Sequence, residues 1–133
     1  MPSLKGSVYY AHSMKIYNTY TEKVELGFIK KHFKGTIINP SVDITWEGQM
    51  APFFDAVKKS DITICSEFFG HIGRGVYSEI RVALSNDKPV YVIRGHNEGK
   101  LYAKKVESIV LDDIEDWSVY YGKIIVMEEK KNE

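Results

Sequence analysis

The chain reads as an α/β protein, a single domain spanning residues 1–133 in which a parallel sheet is flanked by helices. Three observations predict this. Short β-rich runs alternate with segments of helical periodicity, and strands separated by helices pair in parallel. The helical segments carry their own start and stop signals. The length fits one domain able to bury a core, with no internal repeat, linker or low-complexity stretch. The class is flavodoxin-like or Rossmann-like.

The elements follow in order. VYYAH, from Val8, is short, β-rich and followed by polar residues, the pattern of a buried strand ending in a loop. Thr19 and Glu22 have capping-box spacing, and Val24, Phe28, Ile29 and Phe33 share one helical face before Gly35 supplies a stop. TIINP (36–40) reads as a second strand ended by Pro40. SVDITWEGQM fits no element clearly. Pro52 suits the first turn of a helix that FFDAVKKS carries to about Ser60. DITICSEFF (61–69) is a third strand running into a glycine loop. Val76, Ile80, Ala83 and Leu84 fall at i, i+4, i+7 and i+8, so a helix with one buried face runs to about Asn86, and Pro89 opens a fourth strand, PVYVI. Beyond Arg94, ESIVL reads as a strand, DDIEDW as a short polar turn or helix, SVYYGKIIVM as a last strand or hairpin, and EEKKNE as a solvated tail.

Composition narrows the partners. Eighteen basic residues balance eighteen acidic ones, which removes the charge excess expected of a nucleic-acid or anionic-membrane binder but leaves room for a small anionic ligand. No apolar run approaches the roughly 20 residues of a membrane span, and Met1 to Ser7 lack the order of a signal peptide, so the expectation is a cytoplasmic protein. Cys65 lies in an apolar run with nothing cationic beside it and reads as a small buried hydrophobe. The histidines at 12, 32, 71 and 96 show no metal-ligand spacing. Neither a metal nor a cofactor is expected.

In parallel sheets ligands bind at the carboxyl ends of the strands, near the point where strand order reverses. Three loops converge there: His12 to Tyr17, Asn39 to Glu47, and Glu67 to Tyr77. The last holds Gly70, Gly73 and Gly75, and glycine both permits positive φ and lets a ligand approach the backbone closely. Their order is neither G-x-G-x-x-G nor the G-K-S/T ending of a P-loop. Glu79 follows in the first helical turn, either as a helix-start charge stabilised by about 0.3 to 1 kcal/mol or as a reactive group. A carboxylate so placed can stabilise or attack an electron-poor carbon, as in glycosidic cleavage. The leaving group then needs a proton, for which Asp55, His12 and His71 are candidates. Arg74 and Ser13 can meet a phosphate, and the aromatic residues Tyr9, Tyr10, Tyr17, Phe53, Phe54, Phe68 and Phe69 either fill the core or wall a pocket for a flat base.

Together these residues resemble the nucleoside 2-deoxyribosyltransferase superfamily, which includes nucleoside 5′-monophosphate N-glycosidases. Its opening Y-x-A/C-G-S/P is matched by Tyr9, Tyr10, Ala11, His12 and Ser13. Its S/A-D pair before a strand is matched by Ser60 and Asp61, and its closing glycine, Glu, helical Ala and K-P-V by Gly75, Glu79, Ala83, Lys88, Pro89 and Val90. The match covers about residues 7–93. The resemblance implies an N-glycosidase or nucleoside deoxyribosyltransferase acting on a nucleoside or its 5′-monophosphate. Glu79 would be the nucleophile at C1′, Tyr9 the residue orienting it, and Ser13 a 5′-phosphate ligand. His12, Phe53, Gly73, Arg74 and Gly75 would complete the substrate-binding set, in a homodimer. This chain departs from the pattern where the family's catalytic Asp stands, eight residues before Asp61. That position is Phe53, with Asp55 nearby but out of register; His12 replaces a loop glycine, Gly73 a polar residue, and Arg81 a small one. Two other readings stand beside it: a non-catalytic nucleotide sensor on the same fold, and a TIR-like NAD glycohydrolase.

Overall fold

A computed structural model describes residues 6–67 and 71–111. In chain order the strands are β1 (Ser7–Ala11), β2 (Thr36–Ile38), β3 (Ile62–Ser66), β4 (Val90–Arg94) and β5 (Tyr102–Val106). The helices are α1 (Tyr20–His32), α2 (Pro40–Asp43), α3 (Ala51–Lys59) and α4 (Arg74–Ser85). One sheet runs in the order β2-β1-β3-β4-β5, with the first four strands parallel. The chain leaves β1 through α1 to reach β2 on one side, then returns through α2 and α3 to β3 on the other. The reversal of strand order therefore falls between β1 and β3, and the loops that follow these two strands lead to helices on opposite faces of the sheet.

Local chemistry sets the boundaries. The Thr19 hydroxyl accepts from the Glu22 amide at the start of α1, as the capping-box spacing requires. Asn39 caps α2 through the Ser41 amide, and Pro40 takes the first helical position; it opens a helix as well as ending a strand. Gly35 turns the chain into β2 at φ +108°, and a Cβ there would lie 1.9 Å from the Gly6 carbonyl oxygen, so only glycine allows the crossing.

The fifth strand differs from expectation. ESIVL forms no strand; instead Tyr102–Val106 pairs antiparallel with β4, Val90 opposite Val106 and Arg94 opposite Tyr102. Gly95 and Gly99, both at positive φ, reverse the chain directly after β4, so the next residues fold back along it. The sequence YAKKV hides this because two adjacent lysines break the apolar pattern of a buried strand. The third strand is also shorter than expected, ending at Ser66. DDIEDW, SVYYGKIIVM and EEKKNE lie outside the described residues.

Side chains on a strand alternate between faces, so Tyr9 and Tyr10 point in opposite directions. Tyr9 joins Val57, Cys65, Ile80 and Val92 beneath α3 and α4, whereas Tyr10 joins Val8, Ile29, Phe33 and Ile64 beneath α1. Burying a side chain such as Ile80 contributes about 2 kcal/mol. The inner face of α1 is less apolar than its periodicity suggests: it buries Glu22 and Glu25 beside Ile29, while Val24 and Phe28 are only half-buried. No described helix is long and apolar enough to cross a membrane.

Candidate functional site

A cleft of about 260 Å³ opens over the carboxyl end of β1, between the loop that follows this strand and the first turns of α3 and α4. Glu79 lies at its floor. It stands in the second turn of α4 and not in the first as the sequence suggests, because the helix already begins at Arg74, and its side chain leans back toward the sheet, where the residue is only 4% exposed. There the Tyr9 hydroxyl, rising from β1, donates to the Glu79 carboxylate. Burial pushes Glu79 up from the usual carboxylate range to about 8, against the opposing pull of the Tyr9 hydrogen bond. Burial, and then the neighbouring Glu79 carboxylate, push the Tyr9 phenol far above its ordinary value, so Tyr9 stays a proton-bearing donor.

The loop after β1 forms one wall with Ser13, Lys15 and Tyr17. Tyr17 is half-buried, and burial followed by the Glu79 and Glu22 carboxylates raises its phenol well above the ordinary value. His12 stands behind them. Its ring stacks on Tyr10, with centroids 3.7 Å apart and planes 5° from parallel, and meets Tyr17 at 4.8 Å. Nδ1 lies 2.9 Å from the Tyr10 carbonyl and Nε2 lies 2.7 Å from the Glu22 carboxylate, so both ring nitrogens are engaged away from the cleft. Burial raises Glu22, but hydrogen bonds from His12 and Ser41 outweigh it and hold the carboxyl below its usual range. Glu22 thereby ties the loop, α1 and α2 together.

The opposite wall is apolar. Phe53 and Met50 face the cleft from the start of α3, and the Trp46 ring packs on Phe53 at 5.8 Å. The rim nearest α4 is Gly73, Arg74 and Gly75. Neither glycine sits at positive φ; Gly73 is ordinary extended backbone at φ −74°. The space beside Gly75 is open, since a Cβ there would meet no atom within 4 Å. Gly73, the N-cap of α4, has no side chain with which to cap the first turn, whose amides and helix dipole favour an anion at this end.

Of the residues singled out from sequence, Glu79, His12, Ser13, Phe53, Gly73, Arg74 and Gly75 line the cleft, and Tyr9 supports it from below. Asp55 does not: it is exposed on α3, facing away. His71 does not line the cleft either. Lys15, Met14, Met50 and Val76 also line the cleft without having been singled out; Met14 and Lys15 fall in the His12–Tyr17 loop and Val76 in the Glu67–Tyr77 loop, whereas Met50 carried no signal. Cys65 is fully buried in the core, and burial raises its thiol far above the ordinary value, which suits packing and not nucleophilic work.

A second buried cluster lies on the other face of the sheet. Glu25 accepts from the Tyr10 hydroxyl, from Ser66 Oγ at 2.7 Å, and pairs with His96 Nε2 at 2.7 Å. It joins α1, β1, β3 and the turn after β4, and its partners satisfy a carboxylate that no water reaches. Compared with protein-family models and with curated proteins, the chain gives no match.

Proposed function

We propose that the protein breaks or transfers the N-glycosidic bond of a nucleoside or nucleoside 5′-monophosphate, with Glu79 as nucleophile at C1′. The observation that carries this reading is the Glu79 carboxyl at the floor of the cleft, held by Tyr9, with Ser13, Lys15 and Arg74 at the rim. A sugar lying over the floor brings C1′ to Glu79. Its 5′-phosphate then reaches Ser13, Lys15, Arg74 and the open first turn of α4, where anions are favoured. The base is left against Phe53 and Met50, whose flat apolar surface suits a ring and not a charged sugar.

Glu79 works in two stages in this reading. Burial keeps the carboxyl largely protonated in the empty cleft at neutral pH. As positive charge develops at C1′, the ionised form is favoured, the Glu79 proton passes to solvent, and the Tyr9 hydroxyl stabilises the carboxylate left behind; an interaction that strengthens as charge develops lowers the barrier. The carboxylate then captures C1′, and water or a second base displaces it.

A non-catalytic nucleotide sensor is the second reading, and one observation favours it. Phe53 occupies the wall where an acid is wanted, and Asp55 faces solvent. The two readings separate in one experiment, chromatography for free base after incubation with nucleosides, 5′-monophosphates and NAD. Base release supports the glycosidic reading. Saturable nucleotide binding without base release from any of them supports the sensor.

A further inference from the structure

Cleaving an N-glycosidic bond normally requires a proton for the departing base, because a neutral purine or pyrimidine otherwise leaves as an anion. With Glu79 committed to C1′ as the nucleophile, the other described lining residues do not offer one. His12 has both ring nitrogens engaged by the Tyr10 carbonyl and Glu22. Tyr17 is held in its protonated form by burial and two carboxylates, which makes its phenol a weak acid. Arg74 and Lys15 sit exposed at the rim with the phosphate-facing groups. Asp55 points to solvent and His71 does not line the cleft.

What the cleft does offer is suited to a cation. The Phe53 and Tyr17 rings line it on two sides, and aromatic faces attract a positively charged ring. Glu79 is the only carboxylate among the described lining residues, and it lies on the floor between them. A cation brought beside it favours its ionised form, which is the form able to attack.

We infer that the substrate is a nucleoside 5′-phosphate whose base carries a fixed positive charge, such as a pyridinium or an N-alkylated purine. This rests on the glycosidic reading above and deepens it. The C1′–N bond breaks with its electron pair passing to the ring nitrogen, which cancels the positive charge, so the base departs neutral and needs no proton. A Glu79 oxygen forms the new bond to C1′. Water then displaces Glu79 and releases one proton to solvent. Cationic nucleotide and water thus give neutral base, pentose 5-phosphate and a proton. Phe53, standing where an acid would otherwise be wanted, becomes the wall against which the cationic ring lies.

The test compares guanosine 5′-monophosphate with its 7-methyl derivative, which differ at the base by one methyl group and the charge it fixes. Nicotinamide mononucleotide serves as a second cationic substrate. Each is incubated with the purified chain, and each rate is divided by that of the same compound without protein. The expected result is release of 7-methylguanine and nicotinamide, with acceleration of guanine release at least about 100-fold smaller, the least a missing general acid costs. Equal acceleration of guanine and 7-methylguanine release overturns the inference, since a proton donor then reaches the base, the Glu79 carboxyl itself included. Release from guanosine 5′-monophosphate alone also overturns it while leaving the glycosidic reading intact. Release from none of the three overturns the inference, and base release from the nucleosides and 5′-monophosphates with uncharged bases in the wider panel then decides whether the glycosidic reading stands.

Discussion

The Tyr9 hydroxyl donates to the Glu79 carboxylate across 70 positions of sequence, joining the first strand to the helix that follows the third. Because this bond lowers the Glu79 pKa against the larger effect of burial, removing it should raise that pKa further above about 8. In Tyr9→Phe the ionised nucleophile becomes scarcer at neutral pH. The expected result is base release reduced by about tenfold or more at pH 7, with the alkaline-rising limb of the pH profile displaced upward. A profile that keeps its midpoint would show that the phenol does not act on Glu79.

Glu79 also sets a pH dependence of stability. In the folded chain it keeps its proton up to about pH 8, and in the unfolded chain only to about 4.5. Between those values the native state binds more protons, so this group's contribution makes the protein less stable as pH rises, and the loss is complete above 8. The difference corresponds to a destabilisation on the order of 5 kcal/mol. Glu22, held below its usual range, acts in the opposite sense and loses its stabilising contribution as pH falls. Glu79→Gln removes only the first effect. The variant's advantage over the wild type in urea unfolding should therefore grow by several kcal/mol from pH 5 to pH 9, and parallel curves would contradict it.

The His12–Glu22 pair is buried on both sides, so removing one partner strands the other. His12→Ala should cost about 3 to 5 kcal/mol, because an ionised Glu22 is left in the core without its main donor. His12→Ala combined with Glu22→Ala should cost less than the sum of the two single changes, as measured by denaturant unfolding.

Arg74 lies at the rim with Ser13 and the uncapped start of α4. Arg74→Ala should weaken binding of a 5′-monophosphate by about tenfold and leave the matching nucleoside nearly unaffected, as read by calorimetric titration. Equal losses for both would place Arg74 against the sugar or base instead.

Much of this arrangement is legible in the sequence, and the exceptions have physical causes. The alternation of strands and helices gives the parallel sheet, and the glycines with Glu79 mark one side of the cleft, because backbone periodicity and turn chemistry are local. The fifth strand is not legible, since YAKKV owes its conformation to the reversal at Gly95 and Gly99 and to pairing with β4. The burial of Glu22 and Glu25 is hidden for a similar reason. On a helix drawn alone both look like solvated charges; their partners come from β1 and the loop after it, α2, β3 and the turn after β4. Phe53 and Asp55 show the same limit, because only the orientation of α3 decides which of them faces the cleft.

The most direct test of Glu79 as the nucleophile is base release by Glu79→Ala with and without added azide. The variant should release no base in buffer, and azide, small enough to occupy the vacated space and attack C1′ in its place, should restore release with formation of a glycosyl azide. Base release by Glu79→Ala at the wild-type rate without azide would contradict that role.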